Sequence, residues 1–180
     1  MTRASARGLH ALFTGSLASL ASSVVIVAES QRLTRNAAAA TNATSQWVWG
    51  DEAHRRPHAS LRHTAVGYLI HHASSVFWAV QFESRTLGRL VRGDAARAAL
   101  VASAAAVVDY GLMPRRFTPG FEHRLPLRSI AAIYAAFGVG LWIAARIHRR
   151  PAQSGTSSRS SPRAAGPLST RPSRGSKREP

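Results

Sequence analysis

The sequence predicts an all-α protein: an integral membrane four-helix bundle with a disordered basic C-terminal tail. Three observations carry that prediction. Four stretches approach the roughly 20 apolar residues that a helix needs to cross hydrocarbon. Three of them contain no Asp, Glu, Lys or Arg, whereas a helix of a water-soluble domain shows a charged face opposite its apolar stripe. The charge is also unevenly placed: residues 1–145 hold 15 basic and 7 acidic residues, and residues 146–180 hold 9 basic and 1 acidic. Half of the net charge of +16 therefore lies in the last fifth of the 180 residues.

The first stretch, GLHALFTGSLASLASSVVIVA at 8–28, follows the basic start MTRASAR. A cleavable leader has the same outline, but this stretch is long for that role and lacks a clean small-x-small site. The second stretch runs over 63–82. The third, over about 95–113, has Arg97 near its start and Asp109 inside it. The fourth, SIAAIYAAFGVGLWIAA at 129–145, is short, and the flanking Arg128 and Arg146 have stems long enough to snorkel outward. In hydrocarbon every backbone group must be satisfied within its own segment, so helices follow for all four. Small residues at Gly15, Ser19 and Ser23, and at Ala131, Ala135 and Gly138, suit close helix packing.

These helices define a transmembrane domain over residues 1–148 and leave 149–180 as an Arg/Ser/Pro-rich tail with almost nothing to bury. Its positive charge suits contact with anionic lipid. Nucleic acid is not expected as a partner, because the basic residues flank apolar runs or lie in the tail and no nucleic-acid-binding motif is present. The absence of cysteine excludes disulfides and thiolate chemistry. If positive charge stays inside, both termini are cytoplasmic; the tail decides this, since arginines also populate the first and third loops.

The first loop is too long for a bare connector, and NAAAATNATSQWVWG at 36–50 suits a short interfacial helix with Trp47 and Trp49 at headgroup depth. Asn42 also begins an N-A-T glycosylation triplet, a pattern common by chance. In the third loop Pro119 and Gly120 suit the centre of a type II turn, bracketed by Pro114 and Pro126.

Ionisable side chains inside a spanning segment face the bundle interior and find partners. His71 and His72 are such residues, and under the proposed topology Asp109 lies within roughly 7 Å of their depth. Adjacent helical residues diverge by about 100°, so only one histidine can share a partner with Asp109. His72 is expected to face the bundle and His71 another helix or a subunit, with Tyr110 and Tyr134 completing a polar cluster. That cluster reads first as interhelical glue, then as a proton or ligand site. No metal or haem is expected, since haem needs two imidazoles on facing helices at matched depth, and His10 and His148 lie near helix ends. Glu29, Glu83 and Glu122 are expected as solvated or arginine-paired carboxylates. No catalytic motif is legible.

The segments TNATSQWVWGDEA, HTAVGYLIHHASSVFWAVQFE and VDYGLMPRRFTPGFEHRL resemble parts of small, functionally uncharacterised bacterial inner-membrane proteins with about four transmembrane helices, over residues 42–125. The resemblance implies an inner-membrane location and no activity. The expected function is that of a structural or accessory membrane component, with a small transporter or ligand-binding protein using the His/Asp cluster as the alternative. A homo-oligomer or a membrane-protein partner stays open.

Overall fold

The computed structural model describes residues 3–148; the expected tail at 149–180 lies outside the described residues. Within them all regular structure is helical, in the order α1 (Arg3–Thr34), α2 (Ala39–Thr44), α3 (Gln46–Trp49), α4 (Val66–Phe82), α5 (Arg85–Leu90), α6 (Asp94–Val107) and α7 (Leu127–His148). π turns at Leu61–Ala65 and Val108–Leu112 extend the start of α4 and the end of α6.

Three helices are long and apolar enough to cross a membrane: Gly8–Thr34, Asp94–Leu112 and Leu127–His148. The stretch at 63–82, expected as a further span, is not among them. Its α-helix has 17 residues, about 26 Å at ~1.5 Å per residue, and His71, His72, Ser74, Ser75 and Gln81 dilute its apolar content. The π turn adds a further turn at its start, so 61–82 is continuously helical.

α1 lies between α4 and α7. Residues 15 and 22 of α1 meet 76 and 71 of α4, and residue 14 meets 83, just beyond its end. Residues 10, 18 and 29 meet 148, 140 and 129 of α7. Along the other side of α7, residues 138 and 134 meet 102 and 109 of α6 and its π turn. Each of these pairs is antiparallel. Ala18, Ala79, Phe82, Val101, Phe137 and Leu141, drawn from all four helices, share one apolar core. A leader reading of the first stretch would therefore remove the helix on which α4 and α7 both rest.

Small residues set the spacing. A Cβ added at Gly15 would lie 2.6 Å from the Val76 Cα, and one at Gly140 would lie 2.5 Å from the Ala18 Cα. Ser19 is fully buried, and Gly138 faces Ala102 as small-residue packing predicts. The tightest recorded approach of α7 to α1 falls on Gly140.

The first and third loops meet at one end of these helices. α1 stops at Arg35, which adopts a left-handed φ of 58°, and α2 sinks between the helices with Ala39, Ala40 and Ala43 fully buried. It packs on α4 so closely that a Cβ at Gly67 would fall 2.0 Å from the Thr41 carbonyl oxygen. The short helix expected over 36–50 is two helices, α2 and α3, and α2 is buried among the others rather than lying on their surface. Asn42 is fully buried too: its amide donates to the carbonyls of Arg56 (2.6 Å) and His58 (2.8 Å) and accepts from Thr64 Oγ1 (2.6 Å). That side chain is closed to glycosylation in the folded protein.

The third loop folds over α2 and α3. Gln46 Nε2 donates to the Thr118 carbonyl at 2.7 Å, and Trp47 Nε1 donates to the same oxygen at 3.0 Å. Gly120 has φ 82° and ψ −6°, the left-handed conformation that the third position of a type II turn requires. Its missing Cβ also makes room for Ala43, whose carbonyl oxygen would lie 2.6 Å away.

Substituting Gly140→Ala or Gly67→Ala should destabilise the fold by about 1–3 kcal/mol through backbone displacement. Gly8→Ala, where a Cβ meets nothing within 4 Å, should be neutral or stabilising by up to about 1 kcal/mol. Thermal unfolding in detergent reads both signs.

Candidate functional site

A cavity of about 50 Å³ lies where α1, α4, α6 and α7 meet the loop cap. His71, Asp109 and Tyr134 line it with Ser22, Ser74 and Ser75, and Thr44, Trp47, Pro119 and Phe121 form its wall on the loop side. The volume admits a few water molecules and is far below that of a pocket for a metabolite-sized ligand.

The inward face of α4 passes through Gly67, His71, Ser75 and Ala79, since Gly67, Ser75 and Ala79 are its buried small residues. His71 is therefore the histidine turned toward α1 and the cavity, and the preference for His72 is corrected. The physical reason is α2: its close seat on Gly67 fixes the rotation of α4, and residues four apart share a face. His72 lies one residue round the helix, its ring stacked on Tyr68 at 5.9 Å. Its Nδ1 is buried without a hydrogen-bond partner.

His71 Nε2 lies 3.0 Å from Ser22 Oγ. The Ser22 hydroxyl donates to the carbonyls of Ala18 (2.9 Å) and Ser19 (3.1 Å), so toward His71 it accepts. This network assigns the proton of a neutral His71 to Nε2 and makes Nδ1 the acceptor. Across the cavity, Tyr134 of α7 donates its hydroxyl proton to Asp109 Oδ2 at 2.5 Å. Asp109 sits in the π turn that ends α6, where the Met113 amide reaches back to the Val108 carbonyl at 2.9 Å. Tyr110, the remaining residue of the expected cluster, packs edge-on against Tyr134 at 6.2 Å and does not line the cavity.

Three of the five expected residues thus share one cavity. Ser22 lies next to Ser23 of the small-residue pattern but is not part of it, and nothing in the sequence singled it out. The loop residues Thr44, Trp47 and Phe121 join the site only because α2 is buried; the sequence marked Trp47 for headgroup depth and not for this site, and it did not mark Thr44 or Phe121.

The carboxylates outside the cavity also bind other elements. Glu29 pairs with Arg32 at 2.7 Å and accepts from Ser129 of α7 at 2.5 Å. Glu83 accepts from the fully buried Thr14 hydroxyl of α1 at 2.9 Å. Glu122 accepts from Thr118 at 2.5 Å. At the opposite end from the cap, the His10 and His148 rings stack with centroids 4.5 Å apart, which leaves no room for a porphyrin between them. No group of three or more metal-ligating side chains occurs among the described residues.

In the cap, the rings of His54 and His123 lie 3.8 Å apart, and Arg124 donates to the His54 carbonyl. Burial, then the charge of His123, holds the His54 imidazole below the ordinary histidine value, while Asp51 and Glu122 oppose the shift. A base with a lowered folded-state pKa binds fewer protons when folded, so stability rises with pH. Its contribution is complete above the ordinary value of 6.5 and is lost as the pH falls below it. The unfolding midpoint of the cap, followed by tryptophan emission, should drop as the pH falls below the ordinary histidine value of 6.5. His54→Gln should flatten that dependence; an unchanged slope would assign it to other groups.

Against this fold and site, no family model matches the chain, and no curated protein or solved structure is similar to it.

Proposed function

We propose that the chain is a small polytopic integral membrane protein of the bacterial inner membrane, in which α1, α4, α6 and α7 form a four-helix bundle and both termini are cytoplasmic. Its role is structural or accessory. The observation that carries this reading is the use made of the polar side chains inside the helical body. Ser22 with His71, Asp109 with Tyr134, Thr14 with Glu83 and Glu29 with Ser129 each join two different helices. Such bonds lock helices in register where hydrophobic burial between them is weak, each contributing about 0.6–2 kcal/mol. α4, which is not among the helices long and apolar enough to span, is the one that α1 and α2 shelter. The basic tail at 149–180 rests on anionic lipid in this reading.

A second reading is favoured by one observation: His71 and Asp109 line the same cavity. A water-sized space between an imidazole and a carboxylate suits a small transporter that moves protons or a very small solute, and no larger ligand fits there.

The chain should stay with membranes through an alkaline carbonate wash and need detergent for extraction; release into the supernatant would end both readings. Asp109→Asn separates them. The amide keeps an acceptor for Tyr134, so thermal stability should change by less than about 1 kcal/mol in either case. In proteoliposomes carrying a pH-sensitive dye, a difference in proton flux between the parent and Asp109→Asn would replace the structural reading with the second one.

A further inference from the structure

We infer that the pocket around Arg55, Arg56 and Arg62, at the loop end of the helices, binds the phosphate of an anionic phospholipid headgroup. The inference rests on the membrane reading above and adds a specific lipid contact outside the tail.

The pocket has a volume of about 510 Å³ and is formed by the end of the 3-10 turn at Gly50–Arg55, the irregular stretch that follows it and the start of the π turn at Leu61–Ala65. Its charges do not balance. Three guanidinium groups stand against a single lining carboxylate, Glu52, which pairs with two of them, Arg56 at 3.2 Å and Arg62 at 3.5 Å. Arg55 makes no ion pair among the described residues. His58 adds a donor: the Asn36 amide nitrogen donates to its Nδ1 at 3.0 Å, while Asn36 Oδ1 is taken by the Ala38 amide. A neutral His58 therefore carries its proton on Nε2. A group of donors with excess positive charge fits an oxyanion, and guanidinium matches phosphate geometry in particular.

Position selects the source of that phosphate. Leu61, beside Arg62, is 88% exposed; Leu112 at the end of the π turn after α6 is 74% exposed and Leu127 at the start of α7 is 80% exposed. Three bare leucines thus close three helical runs at the same end, where acyl chains would cover them. Arg62 follows Leu61 directly, and its guanidinium stacks on the Trp49 ring at 4.2 Å. That pairing of an aromatic ring with arginine belongs at headgroup depth. Free phosphate offers the same oxyanion but no acyl chain for Leu61.

The test uses the full chain in nanodiscs made of phosphatidylcholine alone or mixed with phosphatidylglycerol. Incorporation into either disc tests the membrane reading; the identity of lipid retained on extraction, read by native mass spectrometry, tests the pocket. Phosphatidylglycerol should be enriched over phosphatidylcholine. Arg55→Gln with Arg56→Gln should reduce the enrichment about tenfold, and Arg55→Gln alone, which breaks no ion pair, should reduce it in part. Arg89→Gln with Arg92→Gln, which removes equal charge between α4 and α6, should leave it unchanged. Absence of enrichment, an equal loss in the Arg89/Arg92 variant, or displacement of the lipid by inorganic phosphate alone would overturn the inference.

Discussion

The distance at which α1 meets its neighbours governs the rest of the structure. Helices carrying ordinary side chains at their contact pack about 8–10 Å apart, and at that spacing a serine hydroxyl on one helix falls short of the next. At Gly15 and Gly140 the facing backbone occupies the space a Cβ would need. The short side chains of α1 can then span the interface, and Ser22 reaches His71 while Thr14 reaches Glu83. Close approach also supplies dispersion energy, which matters most where the surroundings are as apolar as the helix surface. Packing therefore precedes the polar pairs: without the glycines those groups would be buried without partners, at about 1–3 kcal/mol each.

The same logic explains how the polar residues of α4 are accommodated. α4 carries two histidines, two serines and a glutamine, which alone make it a poor candidate for hydrocarbon. Its polar face is directed at α1 and α2, where Ser22 meets His71, and on its outer side Leu69, Phe77 and Val80 are exposed. The arrangement is not complete. Ser19 Oγ and His72 Nδ1 remain buried without partners, and both belong to the α1 and α4 pair. Thr44 Oγ1, which lines the cavity, is likewise buried without a partner, and a water molecule in the cavity would satisfy it.

The approximate positions of the long helices were legible because apolar runs report burial directly; their number was not, since three rather than four are long and apolar enough to span and α5 was not expected. The order of loops and their turn residues were legible for the same local reason: Gly120 has to be left-handed in that turn, and Pro114 and Pro126 end the neighbouring helical segments. Rotation about a helix axis was not. His71 and His72 differ by one residue, and the choice between them depends on α2 seating against Gly67, a contact between residues far apart in sequence. The burial of α2 was hidden as well, since an alanine-rich stretch of six residues reads equally as interfacial or buried. Asp109 and Tyr134 were legible as polar residues in apolar runs, while their bond depends on the antiparallel register of α6 and α7.

α2 is too short to hold a helix by itself, because nucleation is not recovered in so few residues. Its stability comes from tertiary contacts: alanines that let it sink beside Gly67, and the Asn42 amide that satisfies two carbonyls of the following loop. Through Thr44 and the adjoining Trp47 this segment also forms the loop-side wall of the cavity that holds His71 and Asp109. Gln46 and Trp47 then tie that wall to Thr118 of the third loop. Anything that opens these bonds removes the wall and admits bulk water to the imidazole and the carboxylate together. The hydration of the cavity and the stability of the cap are therefore one thermodynamic quantity, and a change in either loop acts on the buried pair without touching it.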